Sequence, residues 1–447
     1  MAFNKLLSFF NKKILARIRN KIIQRFTSED NLLIERKKRE DKRVAENRPH
    51  LIYYFHQVDD PYSILILPLI ENLKNKYNIE LEYILVGEPP NETIHEPSMY
   101  EMYCLNDVRN LAPWYGIDNK INSYPLNNDI LNSNKILASC EGKEFINKAI
   151  NISNSIWLKD YKNTTNSSED IIVSDDEIKS ILEEGNQKRI KIGYYFGSAF
   201  HYEGENYWGV DRLDHLEDRL TELGLKNNDS NKYIATRKDI EPTQRNEKKK
   251  LTLNFFPSLN SPYTYISFPR VRGLASAHSI DIVTKPVLPM LMRGMSIPRY
   301  KVKYILSDAA REGRKHGINI NDVYSPLGEP AEMAYSLFPA IDNLGKGFDY
   351  IESLTKASFH DGINIGSKDF LRKLIEELDL PWNDIREDLG SDLWKSILKE
   401  NLDDMYSGNC WGVPSFNLTD ENGENPFYQW GQDRIWLIEK EIIRRLH

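Results

Sequence analysis

Cysteine is scarce in this chain: three in 447 residues, at Cys104, Cys140 and Cys410, with no CxxC pair. That spacing argues against a disulfide framework, a four-cysteine zinc site and a dithiol redox centre, and it fits a reducing, cytoplasmic setting. Long apolar runs are missing as well. No window offers eighteen consecutive apolar residues, so no membrane-spanning helix is expected. Nor is there an excess of positive charge. The 59 Lys and Arg are outnumbered by 66 Asp and Glu, and a net charge of −7 argues against nucleic-acid binding by the whole molecule. His278, His316 and His360 show no metal-ligand spacing, and no metal is assigned. What remains is ordinary for a globular protein, with 40% hydrophobic and 28% charged residues. At roughly 150 residues per domain the length implies about three domains, or two with decoration.

The amino-terminal residues 1–27 carry seven Lys or Arg and no acid, with apolar residues at helical spacing from Leu6 to Phe26. Lys12, Lys13, Arg17 and Arg19 break any signal-peptide apolar stretch. Two readings follow. A basic amphipathic helix can make peripheral contact with an anionic membrane surface. It can also dock its apolar face on its own protein or on a second subunit, the commoner fate of such a helix. The sequence from Glu35 to Arg48 reads as a charged, solvated connector.

The chain repeats itself. "HQVDDPYSIL" from His56 has a partner in "PSLNSPYTYI" from Pro257, with Pro61 and Tyr62 falling on Pro262 and Tyr263 at an offset of 201. At the same offset Tyr103 falls on Tyr304, Asp107 on Asp308 and Gly116 on Gly317. "YWGVDRLDHLEDRL" at Tyr207 then matches "QWGQDRIWLIEKEI" at Gln429, at an offset of 222. Matches in the same order point to a tandem duplication. The expected domains are 1–48 (basic helix and connector), 49–226 (first unit), 227–250 (linker) and 251–447 (second unit). Each unit opens with a strand ("LIYYF", "LTLNFF"), a polar turn with Pro, a helix and a second strand. A helical region follows, then a strand pair and a last helix. The expected fold is α/β: two split α/β units on mixed sheets, each with a helical insertion.

In the second unit, "SLNSPYTYISFPRV", "YKVKYILSDAAREGRKHGI" and "WGVPSFNLTDENGENPFYQWGQDRIWLIE" resemble the 2-hydroxychromene-2-carboxylate isomerases and kappa-class glutathione transferases of the DsbA-like thioredoxin superfamily. The resemblance spans most of Leu251 to His447 and is weaker in the first unit. It implies a thioredoxin fold interrupted by a helical domain, and glutathione as cosubstrate. The second substrate would be a small, possibly aromatic electrophile.

Residue chemistry can be read beside that resemblance. Ser261 precedes Pro262 at a strand-to-helix turn, where Ser suits the N-cap and Pro the first helical position. A helix N-terminus stabilises an anion, and a thiolate there has a lowered pKa. The related enzymes use a serine at this point to hold the glutathione thiolate; the plainer reading is a helix cap alone. Val413 and Pro414 enter a strand. In thioredoxin-like proteins that proline is cis and faces the active turn, and the preceding backbone can pair with the cysteinyl part of glutathione as an added strand. Gln432 and Asp433 open the last helix after Gly431, where a carboxylate is suited. The resemblance implies that Asp433 takes the α-ammonium of the γ-glutamyl group, with a capping Asp beside a surface Arg434 as the alternative. Lys301 could reach the glycyl carboxylate or a substrate acid, or be a solvated lysine. The family's Asn in a G-N-x-x-P context is absent from "MLMRGMSIPRYK". Asp308 and Arg311 are spaced for a structural ion pair. Cys410 is read as a redox-sensitive thiol or a small buried apolar residue.

The first unit has Asp60 in place of Ser261 and Ser198 in place of Pro414. A carboxylate beside a thiolate would raise the thiol pKa. The first unit is therefore expected to have lost this chemistry and to serve as a pseudo-dimer partner within the chain. The function expected is a glutathione-dependent isomerase or transferase with one site. The alternatives are a non-catalytic binding or scaffold protein and, further off, a thiol–disulfide oxidoreductase, which would need a thiol at the Ser261 turn.

Overall fold

The computed structural model describes residues 20–117, 121–158, 173–237 and 249–446. Two compact units result. One comprises the described residues of 35–239 with 298–304; the other comprises those of 1–34, 240–297 and 305–447. The first holds a sheet in the order β2-β1-β3-β4, and the second a sheet in the order β6-β5-β7-β8. Strands β1 (Leu51–His56) and β2 (Glu80–Leu85) are parallel, whereas β3 (Ala199–Tyr202) and β4 (Glu205–Trp208) form an antiparallel hairpin beside β1. Strands β5 (Leu251–Phe256), β6 (Asp281–Thr284), β7 (Ser415–Asp420) and β8 (Phe427–Trp430) repeat that pattern. A parallel pair requires a crossover, and a helix supplies it in each unit: Tyr62–Lys76 and Pro262–His278.

Details of the two sheets' helices coincide. Each crossover helix contains a proline, Pro68 and Pro269, related by the 201-residue offset. Tyr62 donates to Asp107 Oδ2 at 2.7 Å, and Tyr263 donates to Asp308 Oδ2 at 2.7 Å. Tyr77 and Glu217 meet at 3.4 Å in the first unit; His278 and Glu439, their equivalents at the two offsets, meet at 3.3 Å in the second. A duplicated unit accounts for these pairs.

In the second unit, Leu253, Phe255, Phe416 and Leu418 of the sheet meet Phe268 and Val271 of the crossover helix and Ile438 and Ile442 of the Ile435–Leu446 helix. Phe255 and Phe416, opposite each other in the β5–β7 register, stack at 5.2 Å. Burying such side chains stabilises by about 1.5–3 kcal/mol each. The crossover helix of the first unit buries nine residues, among them Ile64, Leu65, Ile66 and Leu67. Pro68, Asn72 and Asn75, at i, i+4 and i+7, are exposed and form the face of this helix that meets solvent.

Of the basic amino-terminal segment, residues 1–19 lie outside the described residues. Residues 20–27 are helical. Asn20 and Gln24 donate to Asp322, and the Thr27 carbonyl accepts from Arg314. Ile23 packs on the cluster of Tyr265, Ile266 and Ala309. The expected connector from Glu35 is instead a helix, Glu29–Ala45, that buries none of its residues. Ion pairs hold it: Arg36 to Glu205 at 2.8 Å and to Glu222 at 3.0 Å, and Lys37 to Asp41 at 3.0 Å. Of the expected linker 227–250, residues 238–248 lie outside the described residues. Residues before them run along the first unit, where Ile234 N donates to Glu217 and the Lys232 carbonyl accepts from Lys76. Among the described residues no helix is long and apolar enough to cross a membrane.

Candidate functional site

After β5 the chain turns through Pro257 to Ser261 before entering the crossover helix. Ser261 is extended (φ −110°, ψ 115°), and its Oγ accepts from Thr264 N at 3.1 Å, which makes it the helix N-cap. The turn is held from behind. Leu259 N donates to the Tyr335 hydroxyl at 3.2 Å, and that hydroxyl donates to the Val287 carbonyl at 3.1 Å. Ser261 is thus fixed at the positive end of a seventeen-residue helix, and the residue is only 8% exposed.

The second wall is the segment from Cys410 to Ser415. The Val413–Pro414 bond is cis. The Ser261 hydroxyl donates to the Val413 carbonyl at 3.4 Å, so the helix mouth and the prolyl strand are in contact. The Pro414 carbonyl accepts from Gly431 N at 2.8 Å, and Ser415 Oγ donates to the Gly412 carbonyl at 2.7 Å. Gly412 lies so close to the Trp430 indole that a Cβ there would meet it at 2.5 Å. Only glycine lets the strand pass at that distance. Trp411 and Trp430 close the corner, their rings 5.1 Å apart. Cys410 is fully buried.

At the start of the last helix Gly431 takes φ +96°, ahead of Gln432 and Asp433. Gln432 is buried, and its amide is fully engaged. Nε2 donates to Glu312 at 2.8 Å and to Asp433 Oδ1 at 2.6 Å, while Oε1 accepts from Arg270. Gln432 therefore ties the last helix to Arg270 of the crossover helix and Glu312 of the Arg299–Lys315 helix. Asp433 is half-buried. Asp308 and Arg311 pair at 2.5 Å, with Tyr263 on the other carboxylate oxygen.

Lys301 is not grouped with these residues. It belongs to the first unit, where its ammonium donates to the Thr93 carbonyl at 2.5 Å and lies 5.4 Å from the Tyr195 ring. Burial lowers its pKa to about 8. A buried amine needs an acceptor, and Thr93 provides one. Sequence reading also missed Tyr335, Glu312 and Arg270. Each acts through partners 48 to 162 positions away, and no local pattern marks it.

At the equivalent turn of the first unit, Asp60 accepts from Tyr62 N at 3.1 Å and from the Ser198 hydroxyl at 2.7 Å. Ser198 stands where Pro414 does, with φ +52°. Its Oγ lies 2.9 Å from Ser63 Oγ. Burial pushes the Asp60 carboxyl up to about 6, against the hydrogen bond from Ser198, which favours the charged form. This contact joins the two segments of the first unit that Ser261 and Val413 join in the second.

Comparison with solved structures finds distant likenesses. A 2-hydroxychromene-2-carboxylate isomerase is 18% identical, over 43% of this chain and 95% of its own, with a TM-score of 0.37. A putative protein disulfide isomerase from Nitrosomonas europaea is 15% identical, over 44% and 95%, with a TM-score of 0.35. The cytosolic disulfide reductase DsbM from Pseudomonas aeruginosa, in a structure with GSH, is 15% identical, over 44% and 100%, with a TM-score of 0.30. No curated protein matches the chain. The model of the DSBA-like thioredoxin domain matches residues 252–442, and the second half of this chain is accordingly a DsbA-like thioredoxin domain.

Proposed function

We propose that the second unit is a glutathione-dependent isomerase or transferase in which Ser261 stabilises the thiolate of bound glutathione. One observation carries the reading: the Ser261 hydroxyl sits at the mouth of the crossover helix, within reach of both Thr264 N and the Val413 carbonyl. Bound glutathione would supply a nucleophilic sulfur for an electrophilic carbon. Ser261 would turn its proton from the Val413 carbonyl to the sulfur, and the helix N-terminus would favour the negative charge. The backbone at Val413 and Pro414 would pair with the cysteinyl residue. Asp433 would receive the α-ammonium, held in place by Gln432. Lys301, expected to reach the glycyl carboxylate, donates to the Thr93 carbonyl of the first unit.

The test is the thiol pKa of glutathione bound to the full chain, followed by ultraviolet titration. Ser261→Ala is expected to raise it by about 1–2 units, the equivalent of one hydrogen bond to a charged group. An unchanged pKa removes Ser261 from the mechanism. A binding protein without catalysis is the second reading. It is favoured by the Gln432 amide, which its protein partners already engage. Calorimetric titration separates the two, since no heat at millimolar glutathione leaves only the non-enzymatic reading.

A further inference from the structure

The first unit contains a buried cation whose hydrogen-bonding capacity is only partly used. Arg189, in the last turn of the Asp175–Lys191 helix, is 0% exposed. Its Nη2 donates to the Glu88 carbonyl at 2.9 Å and to Asn186 Oδ1 at 3.0 Å. Its Nε and Nη1 are buried and reach no acceptor among the described residues. A guanidinium carries five donors and stays charged, so burial with two of its three nitrogens unmatched is costly.

The groups that face it come from other elements. They are Asp59 and Asp60 of the turn after β1 and the hydroxyls of Tyr194 and Tyr300, all close enough to interact with its charge and none bonded to it. Asp60 accepts from Tyr62 N on one oxygen and from Ser198 on the other, and bonds neither of the two unmatched Arg189 nitrogens. A second orphan donor belongs to the same unit: Trp208 Nε1 is buried without an acceptor among the described residues. The Trp208 ring lies 4.7 Å from Tyr62 and 5.9 Å from Phe196, and Phe196 stacks on Tyr100 at 5.6 Å. Asp59, Tyr100 and Phe196 are only half-buried, which gives this corner an edge on solvent.

We propose that the first unit binds a small monocarboxylate on a flat apolar body, its carboxylate on Arg189 and its body against Phe196 and Trp208. The open groups are N–H donors, which select an acceptor-only ligand. Asp59 and Asp60 face the same cation, which selects a monoanion over a phosphate dianion. This site is separate from the Ser261 site and does not rest on the glutathione reading.

The probe is benzoate, titrated calorimetrically into the full chain, with benzamide and inorganic phosphate as controls. One benzoate per chain is expected, with benzamide and phosphate at least about ten-fold weaker. Arg189→Lys should weaken benzoate by about ten-fold or more, because an ammonium lacks the planar donors. Asp60→Asn, a polar isostere that keeps an acceptor for Tyr62 N, should tighten it by about ten-fold through loss of a facing like charge. Ser261→Ala should leave benzoate binding unchanged even where it alters glutathione. No benzoate binding at millimolar concentration, equal affinity for benzamide, or no tightening in Asp60→Asn overturns the proposal. Should Arg189→Lys fail to fold, Asp60→Asn decides.

Discussion

Asp60 and Ser261 occupy the same place in the two repeats, and burial treats them differently. A neutral hydroxyl at a helix mouth is satisfied by one N–H, and Ser261 has that from Thr264. A carboxylate there pays desolvation, and Asp60 rises from 3.8 to about 6 as a result. The folded chain then holds the proton more tightly than the unfolded one. This contribution is fully present below about pH 4 and lost as the pH rises through about 6. Asp60→Asn is therefore expected to raise stability at pH 7 by about 2–3 kcal/mol and to change it little at pH 4, as read by urea unfolding at both pH values. The exchange of Ser261 for Asp60, and of Pro414 for Ser198, was visible by aligning the repeats. That the two replacements bond each other at 2.7 Å was not, because they are 138 residues apart.

Elements built on a hydrophobic pattern were legible, and those built on charge were not. The β5 strand and its crossover helix follow from an apolar run, a Ser-Pro start and a second strand. The Glu29–Ala45 helix has no apolar stripe to read and is held by pairs such as Arg36 with Glu205. The Asp175–Lys191 helix shows how closely an element can be seated. It opens with a capping box, Ser174 accepting from Glu177 N while the Glu177 side chain accepts from Ser174 N. One face carries Gly185 and, one turn on, Arg189. A Cβ at Gly185 would lie 1.9 Å from the Leu85 carbonyl of β2, backbone that cannot move aside within a sheet. Gly185→Ala is expected to destabilise by about 3 kcal/mol, measured by chemical unfolding.

At the scale of the molecule the duplication is chemical as well as topological. Tyr62 on Asp107 and Tyr263 on Asp308 are one hydrogen bond built twice, with matching length. Removing either hydroxyl takes a neutral donor from a carboxylate, a change of about 1.5–3 kcal/mol. Tyr62→Phe and Tyr263→Phe should each cost that much. The double variant should cost their sum within about 0.5 kcal/mol. A much smaller cost in one repeat would show that the bond is not equivalent in the two.

The sequence alone determined the two-unit α/β plan, the turn that carries Ser261 and the loss of that serine from the first repeat. Strand and helix periodicity, turn residues and internal repeats are properties of neighbouring positions, and such information survives in one dimension. Only the tertiary structure decided that residues 298–304 join the first unit, that Lys301 spends its charge on Thr93, that Gln432 is claimed by Glu312 and Arg270, and that Arg189 is buried with donors to spare. Each of these depends on which polar groups a fold removes from water together, and that is a matter of three-dimensional neighbours rather than spacing along the chain.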